Sequence, residues 1–214
     1  MHLTCYVCAM EEKKRQILEQ AEEVFMRLGI KSVTMDDMAR NLGISKKTLY
    51  QYVSDKNDLV FQTLQINCDY EEKVIRDICT RELNAIDESF EVSKWVVGQL
   101  KRIHPSIHYD LEKYHPEAFH HFRKAQTNTV YECIEGNLRK GMQEGLYRDD
   151  LNVHVIATVY LARMDVVFDG QLFPPTKYDF AEVYLETFRY HIRGIASEKG
   201  IEYLVEKVKK ETTK

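Results

Sequence analysis

Turn-forming residues are scarce in this 214-residue chain, with 9 Gly and 4 Pro, about half of the roughly 26 that average usage would give. That scarcity argues against a many-stranded sandwich or barrel and against a Gly-looped nucleotide fold, and it predicts long helices. Long hydrophobic runs are missing as well. The longest uncharged stretch, Leu151 to Ala162, is shorter than the ~18 apolar residues a membrane span requires. No basic segment precedes a hydrophobic core at the start, so no signal peptide is read. The expectation is a soluble, cytoplasmic protein with no membrane partner. Enzyme signatures are absent too: GxGxxG, P-loop, GxSxG and HExxH patterns do not occur. Nothing therefore predicts catalysis or calls for a cofactor.

What is present suits a globular chain. Hydrophobic residues make up 44% and charged residues 30%, enough for a core and a solvated surface. The net charge of −4 gives no global electrostatic reason to bind nucleic acid. Its distribution says more, because residues 11–58 balance nine Lys/Arg against nine Asp/Glu and the remainder carries the whole deficit. Only that first segment can face a phosphate backbone. Five scattered cysteines, an odd count, read as reduced thiols. Cys5 and Cys8 form one CxxC without the second pair of ligands that a structural zinc site needs. Met10 precedes a charged helix start, so it can be the initiator and residues 1–9 an upstream extension.

Periodicity organises the rest. Ile17, Ala21, Val24, Phe25 and Leu28 share one helical face, which predicts an amphipathic helix from Glu11 to Leu28. Gly29 follows as a left-handed cap. Thr34 suits an N-cap, and Asp36 and Asp37 complement the positive end of a short second helix. Met35, Met38, Ala39 and Leu42 form its inner face, and Gly43 stops it. Ser45 caps a further short helix, Lys46 to Val53, and Ser54 caps a long one from Asp55. Two short helices joined by about three residues with a glycine must cross steeply, which is helix-turn-helix geometry. Later helices are predicted near 55–84, 88–103, 106–114, 117–144, 152–169, 178–197 and 200–210.

Within this unit Leu49 and Val53 point inward, leaving Lys46, Lys47, Thr48, Tyr50 and Gln51 outward. A helix end carrying two lysines, a hydroxyl and a phenol suits a major groove, where lysine meets phosphate or guanine and threonine meets base edges.

At this point a resemblance becomes specific. Residues 11–58 resemble the N-terminal DNA-binding domain of the TetR family of transcriptional regulators. The likeness lies in Ile17-Leu18 through Phe25, Gly29, Thr34, Met38-Ala39, Leu42-Gly43-Ile44-Ser45, Thr48-Leu49-Tyr50, Tyr52, and Lys56 through Leu59. It implies that Thr34, Tyr52 and Lys56 hold the phosphate backbone while Ser45, Lys46, Lys47, Thr48 and Tyr50 face the groove. Lys47 stands where the family often has Gly, and Val53 where it usually has Phe. Gly145 to Asn152 resembles the loop before the family's dimerisation helices. Independently, the 152–169 segment is apolar nearly all round, so it requires cover on both sides. Tyr184, Leu185, Phe188, Ile192 and Ile195 extend that apolar seam along 178–197.

The expected architecture is all-α: an N-terminal three-helix helix-turn-helix domain followed by a C-terminal helical bundle for ligand binding and dimerisation. The expected division is a flexible extension at 1–10, a DNA-binding domain at 11–58 and the ligand-binding and dimerisation domain at 59–214. The expected partners are double-stranded operator DNA, a second copy of the chain and a small-molecule effector. The function implied is a sequence-specific regulator, a repressor released from a palindromic operator by an apolar or aromatic ligand. Trp95, Tyr109, Tyr114, Phe119, Phe122 and Tyr131 lie on the middle helices, where the family keeps its pocket, but no motif fixes a ligand residue. The alternative is a thiol- or metal-responsive regulator using Cys5/Cys8 or the cluster His104, His108, His115, His120 and His121.

Overall fold

The computed structural model describes residues 2–212, without the side chains of residues 2–9, 126, 211 and 212. Among the described residues the fold is all-α. The helices are α1 (His2–Leu28), α2 (Met35–Asn41), α3 (Lys46–Leu49), α4 (Lys56–Thr80) and α5 (Ala85–Leu100). They continue with α6 (Ile107–Tyr114), α7 (Pro116–Gln143), α8 (Val153–Phe168), α9 (Phe180–Ile195) and α10 (Glu198–Thr212). Extended pairing among them is limited to one bridge, Tyr147 with Ala196. No helix of the described residues is long and apolar enough to cross a membrane.

Three boundaries differ from the sequence reading for identifiable reasons. Helix α1 begins at His2 rather than Glu11, since no Gly or Pro precedes Glu11 to break it. Helix α3 ends at Leu49 rather than Val53. Beyond it the amides of Gln51 and Tyr52 turn to carbonyls three residues back, at 3.1 and 3.0 Å, the tightening common at helix ends. Helix α5 starts at Ala85, three residues early, because the Asn84 side chain accepts from the Asp87 amide at 2.9 Å.

The chain forms two compact units, one of residues 1–71 with 102–126, the other of 72–101 with 127–214. A division at residue 58 follows neither boundary. In the first unit Ile17, Leu18, Ala21, Val24 and Phe25 of α1 meet Met38, Ala39, Leu49, Val53, Leu59 and Val60 in one hydrocarbon core, joined by Ile107 and Leu111 of α6. Gly29 ends α1 at φ 79°. A side chain there would be strained, and its Cβ would lie 2.7 Å from Ser106 Oγ. The buried Asp110 carboxylate accepts from the Lys31 amide at 2.9 Å and from Ser106 Oγ at 3.0 Å, so α6 closes over the end of α1.

The second unit is built around buried polar groups. Asn137 of α7 uses its whole side chain: Nδ2 donates to Ala85 O and Glu88 Oε1, and Oδ1 accepts from Ser89 Oγ and Tyr147 Oη, at 2.8–3.0 Å. Glu88 is also paired with Lys140 at 2.7 Å. The Tyr147 ring lies so close to Gly141 that a Cβ there would fall 2.1 Å from it. Burial pushes the Tyr147 phenol above its ordinary pKa. Helix α9 turns Tyr184, Phe188, Ile192 and Ile195 inward, with Phe188 edge-on to Phe90 of α5. Those four residues are therefore core of this unit, not the free seam that the apolar pattern suggested. A helix with one strongly apolar face needs one cover, and α5 and α8 supply it.

Candidate nucleic-acid interface

The local geometry of residues 34–56 is fixed by caps. Thr34 precedes α2 in extended conformation and accepts from the Asp37 amide at 3.1 Å. Asp37 reaches back to the Thr34 amide at 3.1 Å and to its hydroxyl at 2.6 Å, completing a capping box. Those bonds from Thr34 hold the Asp37 carboxyl below its ordinary range. Arg40 pairs with the same carboxylate. Arg27 of α1 donates to Asn41 at 3.2 Å, tying α2 to α1. The turn follows at Gly43, φ 65°, a conformation that L residues with a Cβ adopt only at a cost. Ile44 then donates to Ala39 O at 3.1 Å.

Ser45 starts α3, its Oγ accepting from the Thr48 amide at 3.0 Å. Leu49 and Val53 are buried, and that anchorage decides which way the remaining side chains face. Ser45, Lys46, Lys47 and Tyr50 are exposed, Thr48 half-buried. Tyr50 keeps 42% of its surface in solvent. The Thr48 hydroxyl lies 2.8 Å from Ser45 Oγ. Lys46 reaches Asp36 of α2 at 3.0 Å, and that bond raises its pKa. In an exposed position such a pair is weak, so a phosphate can replace the carboxylate at small cost.

The flanking residues divide. Thr34 is exposed at the N-terminal edge of α2, whereas Tyr52 is half-buried and packs against the core of the first unit, whose helix-turn-helix part is its head. Lys56 is half-buried too. Its Nζ lies 3.4 Å from Lys31 O, and burial lowers its pKa against the opposing pull of Asp110. The structure thus brings Ser45, Lys46, Lys47, Thr48 and Tyr50 onto one exposed turn, with Thr34, Tyr52 and Lys56 around it.

The histidine cluster does not assemble into a site among the described residues. His104 is held by Ser106 at 3.1 Å, His108 packs edge-on to Phe119, and His121 lies against Phe61. His115 is buried, and that burial, with the nearby Lys56 charge, lowers its pKa. No group of three metal-ligating residues forms among the described residues. The Cys5 and Cys8 side chains lie outside them. Of the expected pocket aromatics, Tyr109 and Tyr114 are exposed beside Lys113, and Phe119 belongs to the first unit's core.

Sequence reasoning missed Asp110, Asn137 and Arg163. The spacing Asn84-x-x-Asp87 did carry a readable cap signal. Arg163, the first charge after the longest uncharged stretch, was the one available hint of a buried cation.

Comparison with known proteins finds relatives of this geometry. The profile of the bacterial regulatory proteins of the tetR family matches residues 17–63. The HTH-type transcriptional regulator HbdR of Aromatoleum sp. (strain CIB) is 36% identical over 70 residues, 32% of this chain and 31% of that protein. The HTH-type transcriptional regulator SAB2452 of Staphylococcus aureus (strain bovine RF122 / ET3-1) is 28% identical over 131 residues, 60% of this chain and 57% of its own. The chain thus matches about a third and just over half the length of those two relatives. A solved regulator from Saccharomonospora viridis in complex with choline shares the fold, at TM-score 0.65 and 20% identity over 88% of this chain and all of its own. Capped short helices, a buried anchor and an exposed turn all fall within residues 17–63, the part of the chain that is similar to the tetR family.

Proposed function

We propose that the protein is a sequence-specific, DNA-binding transcriptional regulator acting without catalysis in the cytoplasm, a repressor released from a palindromic operator by a small ligand. The observation that carries this reading is the exposed turn Ser45–Tyr50, held rigid from below by Leu49 and Val53. In the proposed complex Ser45, Lys46, Lys47, Thr48 and Tyr50 face the major groove, while Thr34, Tyr52 and Lys56 hold phosphates. Lys56 exchanges its backbone partner for phosphate there. Functionally, 11–58 is the DNA-binding part and 59–214 the ligand-binding and dimerisation part, with 1–10 an extension to both.

The second copy is proposed from α8. Ala157, Tyr160, Arg163 and Val167 cover its inner face, yet Val155, Val159 and Val166 remain 50, 59 and 39% exposed. A two-fold pairing through that face matches operator symmetry. Release by ligand requires tighter binding to the DNA-free form than to the DNA-bound form. Helix α4 offers a route, because its residues 56–71 belong to the first unit and 72–80 to the second.

Selection of duplexes from a random pool by the pure protein tests the reading. The expected result is a palindrome bound by a dimer, with affinity falling steeply as salt rises. Tyr50→Ala and Thr48→Ala should lose that site with helicity unchanged, and Lys56→Ala should weaken all DNA alike. Val155→Glu with Val159→Glu should yield monomers. Selection of no sequence, or an unchanged site in both reading-turn variants, overturns the assignment.

A further inference from the structure

The second unit contains a buried cation that its own residues leave incompletely bonded. Arg163 of α8 is 8% exposed. Its Nη2 donates to Tyr184 Oη at 3.2 Å, whereas Nε and Nη1 are buried without a hydrogen-bond partner. Among the described residues no carboxylate pairs with it. Aromatic faces surround the guanidinium instead: its central carbon lies 3.5 Å from the ring centre of Tyr160, 4.8 Å from Tyr184 and 5.9 Å from Phe188. His191 completes the wall, its ring 4.8 Å from that of Tyr160.

Stacking on π-faces compensates the plane of a guanidinium. It does nothing for the N–H groups at the edge, which need acceptor oxygens. A buried charge without such acceptors is among the costliest features a core can hold.

We propose that Arg163 is the anchor for the carboxylate of the effector, with Tyr160, Tyr184, Phe188 and His191 packing around the ligand's apolar or aromatic body. This deepens, and rests on, the ligand-responsive reading above. A carboxylate fits for three reasons. Its planar pair of oxygens matches adjacent guanidinium N–H groups. Its single negative charge balances the single cation in the box. His191, held neutral by burial and by Arg163, adds no second charge of the kind a phosphate dianion would require. The same cation disfavours cationic ligands in this box.

The test compares phenylacetate, benzoate and octanoate with their uncharged amides, using the full chain, Arg163→Met and Arg163→Gln. Binding is read by calorimetry and by the thermal midpoint, which a ligand of the folded state raises. At least one acid should bind the wild type ten-fold or more tighter than its amide. Arg163→Met should lose that preference while its ligand-free midpoint stays level or rises, since an incompletely bonded buried charge is replaced by hydrocarbon. Arg163→Gln, which keeps polarity but not charge, should lose the acid preference too. Equal affinity for acids and amides, no binding of any acid, or an acid preference surviving in Arg163→Met or Arg163→Gln overturns the proposal. So does a lowered midpoint in ligand-free Arg163→Met, which makes Arg163 a structural residue satisfied by buried water. Operator release is measured separately: acids that bind through Arg163 without releasing DNA leave the anion anchor standing and remove the inducer reading.

Discussion

The helix-turn-helix and the second unit hold their polar chemistry in opposite places. Around α1 to α3 the interior is hydrocarbon, and the polar groups that define the geometry, Thr34, Asp37, Ser45 and Thr48, lie at the surface in caps. In the second unit Glu88, Asn137, Tyr147 and Arg163 are inside. Under the proposed function the surface turn shows its side chains to a large rigid partner, so its support can be plain apolar packing. Under the same proposal the second unit encloses a small molecule, and its interior polar groups must each be satisfied or left for that ligand.

The sharpest break of that comparison is Asn137→Leu. Removing the amide leaves Glu88, Ser89 and Tyr147 each one partner short in a buried network. Urea denaturation should show a loss of about 3 kcal/mol, the upper end of the cost of leaving buried hydrogen-bonding groups short of partners. Lys47→Ala in the reading turn should stay within ~0.5 kcal/mol on the same measurement while weakening DNA binding.

Acid should act on the second unit next. Burial and the Arg163 charge hold His191 from an ordinary 6.5 down to about 3. Between those values the unfolded chain binds a proton that the folded chain refuses, so this contribution is whole above pH 6.5 and is lost as pH falls towards 3. The slope should be on the order of 1 kcal/mol per pH unit after discounting for solvent access. His191→Phe should flatten it in a series of denaturation curves. A His191→Phe curve parallel to wild type would place the acid sensitivity in His115 of the first unit, whose shift has the same sign.

Much of the head was legible because its determinants are local. Thr34, Gly43 and Ser45 act on amides within a few residues of themselves, so spacing alone predicts α2, the turn and the start of α3. The end of α3 was misread because Val53 stays buried after the helix has already tightened into turns. The second unit was legible only as helices. Asn137 meets Ala85 and Glu88 across a separation of about fifty residues, and no periodicity encodes such a pairing. Helix α6 was placed along the chain, but its packing with α1 was not legible. The bond from the Lys31 amide to Asp110 that attaches it spans seventy-nine residues.

A cap in the head supplies a smaller, local test. Thr34→Ala removes the side-chain half of the capping box on α2 and the hydroxyl's bond to Asp37, leaving the bond from the residue 34 amide, with an expected cost of about 1 kcal/mol in urea. Thr34→Ser keeps the acceptor and should lie close to wild type. A cost several-fold larger would mean that Thr34 supports the core rather than one helix end, and the contrast between surface caps and interior networks would fail.

The smallest effect concerns reactivity rather than stability. Cys79 of α4 and Cys133 of α7 stand with their sulfurs 3.1 Å apart in the second unit. The hydrogen bond between them lowers the pKa of Cys79, while that bond together with burial raises that of Cys133. One S–H can donate to the other sulfur, so the pair ionises first at Cys79, and the thiolate is the form that alkylates. Limited iodoacetamide treatment near pH 8, followed by peptide mass analysis, should label Cys79 well before Cys133. Cys133→Ala removes the donor and should slow labelling of Cys79 despite opening space beside it. If the cavity governed access and the hydrogen bond did not matter, that variant would label faster. The sign of the rate change therefore decides whether the second unit's interior tunes its polar groups through specific partners or only shields them.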